Sequence, residues 1–113
     1  MTKDPIVELT DANFDARVLR SARPVVVAFV APWSSAWKRA EPGFEALSDA
    51  LDDLEIAQYK VDVDDHPEAA SNYSVTTLPT FLLFANGRVV GRILGAASRG
   101  TLAQWIHRTI DNQ

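Results

Sequence analysis

Between Val25 and Ala31 the chain reads Val-Val-Val-Ala-Phe-Val-Ala, with no polar side chain in the run. Such a stretch, rich in β-branched residues and lacking alternation, specifies a central strand buried on both faces rather than an edge strand with one wet side. Everything else in the sequence has to be arranged around it. The apolar extension from Pro24 to Trp33 is about half of what a membrane span requires, so it reads as core. With 113 residues, 47% of them apolar and 23% charged, the chain suits one domain, residues 1–113, with a core of its own.

The flanking segments alternate between strand and helix patterns. Ile6-Val7-Glu8-Leu9 reads as a short strand. Thr10 is placed to cap a helix running to about Arg20, with Phe14, Val18 and Leu19 on its apolar face, and Pro24 keeps that helix from continuing. After the central strand, Trp37, Phe44, Leu47 and Leu51 recur at spacings of seven, three and four. That period predicts one helix over residues 34–54, kinked by Pro42. Residues 56–63 read as a second buried strand ending in the acidic turn Asp62-Val63-Asp64-Asp65. A short helix over residues 66–73 follows, with Asp65 as its cap and Pro67 in its first turn. Residues 80–84 and 88–94 flank Asn86-Gly87, a strong hairpin signal. Ser98 then caps a last helix carrying Leu102, Trp105, Ile106 and Ile110. The order β-α-β-α-β-α-β-β-α predicts an α/β domain. Crossover helices make the early strands parallel and the hairpin makes the late pair antiparallel, so the sheet is mixed.

Several functions are disfavoured by composition. The net charge is −4 with a pI of about 5.0, and no basic block is present to track a nucleic-acid backbone. No charged-then-apolar leader opens the sequence and no stretch suits a membrane, so the expectation is a cytoplasmic protein or a processed mature form. The chain has no cysteine, which rules out structural disulfides and thiolate metal sites. His66 and His107 lie 41 positions apart without ligand spacing. They read as surface or cap residues, and neither a metal nor a cofactor is expected.

The segment Ala31-Pro32-Trp33-Ser34-Ser35-Ala36-Trp37-Lys38 leads from the central strand through a Trp-led turn into a helix. Further on stand Leu78-Pro79-Thr80, Asn86-Gly87 and Gly95-Ala96. In order and spacing these motifs resemble the thioredoxin family, where the turn reads Trp-Cys-Gly-Pro-Cys-Lys. Pro42, five residues after Trp37, matches the family's helix-kinking proline. The resemblance covers nearly the whole chain and implies the thioredoxin fold, a central mixed β-sheet flanked by helices. It sets Ser34 and Trp37 at the two redox-cysteine positions and Ala28 at that of a buried carboxylate assisting proton transfer. Leu78-Pro79 looks like the cis-proline segment, and Gly95-Ala96 like the small-residue loop facing the same groove.

Attack on a disulfide requires a thiolate, and a serine hydroxyl is a far weaker acid. With both sulfurs and the carboxylate gone, the resemblance implies a redox-inactive protein with no catalytic residue. What it retains is a groove for an extended peptide or partner protein, formed by Trp33, Trp37, Leu78, Pro79, Gly95 and Ala96. The protein would then act as a chaperone, assembly factor or complex subunit. The alternative is a thioredoxin-type disulfide oxidoreductase whose cysteines were lost by engineering or in the recorded sequence. Ala28 and Trp37 speak against that alternative, while Ser34 is compatible with either. Serine nucleophilicity needs a base within reach, so the expected role of Ser34 or Ser35 is to cap the helix. Trp33 is expected at the surface. Trp37 has two readings: it lines the groove, or it turns inward and fills the space left by the cysteine pair. The Leu78–Pro79 bond is expected to be cis.

Overall fold

Five strands form one mixed sheet, in a computed structural model that describes residues 6–51 and 53–113. Residues 1–5 and 52, part of the single domain read from the sequence, lie outside the described residues. The strands are β1 (Val7–Leu9), β2 (Val25–Val30), β3 (Ala57–Asp62), β4 (Thr80–Ala85) and β5 (Arg88–Leu94), in the order β1-β3-β2-β4-β5. β1 and β2 both run parallel to β3, whereas β4 is antiparallel to β2 and β5. This is the thioredoxin fold expected from the sequence. The hairpin turns on Asn86 and Gly87, both at positive φ (54° and 77°), as a type I′ connection requires.

β2 sits at the centre and is buried along its whole length. Its side chains alternate between two cores. Val25, Val27 and Phe29 pack with Leu9, Phe14, Val18, Leu82 and Phe84 on one face. Val26, Ala28 and Val30 pack with Trp37, Phe44, Phe81, Leu102 and Ile106 on the other. The unbroken apolar run therefore has the physical cause inferred for it, since neither face of the strand meets water. On the first face Phe14, Phe29, Tyr73 and Phe84 form an aromatic cluster with ring centroids 5.3–6.4 Å apart. Burial, with the nearby Asp15 carboxylate second, raises the Tyr73 phenol above its usual value of 10.0.

The helices are α1 (Ser35–Glu45), α2 (Leu47–Ala50), α3 (Pro67–Asn72) and α4 (Arg99–Asp111). Four local expectations need correction. The segment after β1 is not a regular helix from Thr10. Thr10 Oγ1 accepts from Asn13 N–H (3.2 Å) and Asn13 Oδ1 accepts from Thr10 N–H (2.8 Å), closing a turn before a single π-helical stretch, Asp15–Leu19. The helix over 34–54 is two helices broken at Ala46, and the Phe44 carbonyl beside the break accepts from Gln58 Nε2 at 2.9 Å. Pro42 lies inside α1, four residues before that break. Asp65 does not cap α3; the Asp11 carboxylate does, accepting from Ala69 N–H at 3.0 Å. The central strand ends at Val30 and the next spans Ala57–Asp62, each shorter than its apolar run. Among the described residues no helix is long and apolar enough to cross a membrane.

Candidate functional site at the carboxyl end of the central strand

The register of the sheet builds the site. Val30 pairs with Asp62, Val63 N–H donates to the Val30 carbonyl (2.9 Å), and Phe29 pairs with Thr80. The chain leaving β2 therefore emerges between the acidic turn after β3 and the proline entering β4. A turn closed by Ser34 N–H to the Ala31 carbonyl (3.0 Å) then pushes Trp33 outward, and its side chain is 66% exposed. The Trp33 Nε1–H donates to Asp64 Oδ2 at 2.6 Å, and Asp64 N–H in turn donates to Asp62 Oδ1 at 2.9 Å. The exposed indole is thus tethered rather than loose.

Ser34 is buried, and its Oγ accepts from Trp37 N–H at 3.2 Å, so it is the N-cap of α1 as inferred. Neither histidine is bonded to it. His66 Nδ1 accepts from Asp11 N–H (3.4 Å), and His107 Nε2 faces Asp53 Oδ1 at 3.2 Å. Among the described residues Ser34 is bonded to no base of the kind that nucleophilic catalysis would require.

Trp37 points inward with 4% exposure, and its ring meets Phe44 edge-on with centroids 5.9 Å apart. Of the two readings of this residue, the core one holds, and Trp37 is removed from the groove residues. The reason is steric and hydrophobic: at the third position of α1 an indole faces the sheet, where Ala28 leaves room in the same cluster. A carboxylate at position 28 would be buried against this apolar packing.

The Leu78–Pro79 peptide is cis, as expected. Pro79 is buried and its carbonyl accepts from Gly95 N–H at 2.8 Å, which joins the two loops. Gly95 has φ +89°, and a Cβ there would meet nothing within 4 Å. Among the described residues, neither the N–H nor the C=O of Leu78 has a hydrogen-bond partner. Leu78 and Gly95 are half-buried and Ala96 is exposed. Two residues of this end were not singled out in the sequence. Leu94 pairs with Thr80 and is 59% exposed, an uncommon state for a leucine at the end of a strand. Asp64 was read only as part of an acidic turn, and its proximity to Trp33 becomes visible only through the β2–β3 register.

Comparison with known proteins agrees with this architecture. The Thioredoxin family profile matches residues 5–108. Thioredoxin of Mycobacterium tuberculosis is 37% identical over 111 residues, covering 97% of this chain and 94% of its own length. Thioredoxin 1 of Synechococcus elongatus is 33% identical over 100 residues, covering 88% and 92%. Thioredoxin of Rickettsia bellii is 33% identical over 102 residues, covering 90% and 96%. With the mixed sheet, the cis proline and the Trp-led turn all in place, the chain, although it has no cysteine, belongs to the thioredoxin family.

Proposed function

We propose that this chain is a redox-inactive binding module, which holds an extended peptide or protein segment at the carboxyl end of β2. Trp33, Leu78, Gly95 and Ala96 form the surface, Leu94 is added to it, and Pro79, buried beneath it, leaves the list of exposed groove residues and supports the surface through its bond to Gly95. Chaperone, assembly-factor and complex-subunit roles all use such a surface in the same way. The observation that carries the reading is the exposed, tethered Trp33 at the same end of the sheet as the unpaired backbone of Leu78. A large exposed aromatic is the usual anchor of a binding surface, and an unpaired backbone edge accepts an extended ligand. Exchange of a disulfide by this chain has no thiol to begin with. The alternative, an oxidoreductase deprived of its cysteines, is disfavoured by Trp37 and Ala28, which are packed into one buried cluster.

Hydrogen–deuterium exchange with and without a permanently unfolded client, such as reduced and carboxymethylated lactalbumin, tests the reading. Slowed exchange at Leu78 and the Trp33 turn is expected. Protection confined to the outer faces of α2 and α4, or no protection, contradicts it.

A further inference from the structure

The chemistry around Trp33 specifies one kind of side chain in the partner. Its Nε1–H, which projects from the ring edge, donates to Asp64 Oδ2, so the bond holds the indole by its edge without using its π faces. At 66% exposure the ring remains open to solvent. Asp64 gives one carboxylate oxygen to the indole, and among the described residues no lysine, arginine or histidine pairs with it. Asp65 and Glu68, on the same turn and the first turn of α3, are exposed and likewise lack a cationic partner among the described residues. Lys60, the nearest cation in sequence, is directed to Glu41 at 3.8 Å.

An open aromatic face bordered by a carboxylate attracts a cation twice, through the ring quadrupole and through a charge-assisted hydrogen bond. It repels an acidic side chain by the same electrostatics. At the same end of the sheet, on the β5 side, Leu94 and Ala96 are exposed and apolar. We propose that the segment held here is an extended peptide that presents a lysine or arginine to Trp33 and Asp64 and, from the same face, an apolar side chain to Leu94. This rests on the binding-module reading above and names the partner chemistry of that site. Alternate side chains of an extended strand share a face, so the basic and apolar residues are expected an even number of positions apart, about four where the peptide crosses from the β3 side to β5.

Selection of random peptides displayed on phage against the folded protein tests this, followed by affinity measurements on the enriched sequences. Enrichment of lysine or arginine an even number of positions, two or four, from an apolar residue is expected. Asp64→Asn keeps an oxygen for the indole N–H and removes only the charge. It should weaken the selected peptide about tenfold, and glutamine at the peptide's basic position, which also removes the cation from the Trp33 ring, should weaken wild type by more than that but cost Asp64→Asn less than it costs wild type. The wild-type affinity should also fall as salt is raised to about 0.5 M. Peptides without basic enrichment that still require Trp33 overturn the cation preference and leave the binding-module reading standing. So does a basic peptide indifferent to Asp64→Asn. Peptides indifferent to Trp33→Ala, or a selection that yields none, overturn both.

Discussion

Trp37 and Ala28 belong to one buried cluster, the indole in the first turn of α1 and the methyl group at the centre of β2. The two positions that the resemblance assigns to a redox cysteine and its proton-transfer carboxylate have therefore become hydrophobic packing. Truncation by Trp37→Ala opens a cavity and should cost about 3–5 kcal/mol in chemical denaturation. Ala28→Asp buries a carboxylate in the same apolar cluster and should also destabilise by several kcal/mol, on the order of 3. Combined with Trp37→Cys it should cost less than the sum, because neighbouring changes in one cluster are coupled.

Restoring both sulfurs, by Ser34→Cys with Trp37→Cys, should give only weak acceleration of insulin reduction by dithiothreitol. Ala28 still offers no carboxylate, and Ala36 stands where the family's turn has proline. A double variant as fast as an ordinary thioredoxin would mean that these two positions are the sole barrier to redox chemistry.

Ser34 is a cap, so its removal should be felt as a helix terminus is felt. Ser34→Ala should lower stability by about 1 kcal/mol, with Ser34→Asn retaining most of it. Ser98 plays the same part for α4, its Oγ accepting from Thr101 N–H at 3.1 Å, and serves as an internal comparison.

Tyr73 offers a pH test. Its pKa in the folded protein is raised, first by burial and then by Asp15, so folding favours the neutral phenol. The stabilisation is complete below the unfolded value and is lost as pH rises through the higher folded value. Ultraviolet titration of the native protein should show a tyrosine ionising above 10.0, and Asp15→Asn should bring it down in part.

What the sequence discloses follows from how local the cause is. The buried run of β2, the Asn86-Gly87 turn and the Ser34 and Ser98 caps are written in a few adjacent residues. The break at Ala46 is not, because the Phe44 carbonyl beside it is served by Gln58 from β3, 14 positions away. Asp11 capping α3 reaches across 58 positions, so the adjacent Asp65 was the natural but incorrect choice. The Trp33–Asp64 tether likewise spans 31 positions and depends on strand register. Trp37 was undecidable from pattern alone, since an indole suits a groove or a core equally well. Helix phase and the room left at Ala28 turn it inward.

The most direct test of the binding-module account is calorimetric titration of one selected extended peptide into wild type, Trp33→Ala, Leu94→Asp and an outer-face control, Arg108→Glu. Trp33 is exposed, so its truncation should change folding stability by about 0.5 kcal/mol or less. The same truncation should cost about 2 kcal/mol or more in binding, roughly thirtyfold, as should Leu94→Asp, while Arg108→Glu stays within about twofold. Equal affinity across wild type and both groove variants would contradict the account and move the functional surface away from Trp33.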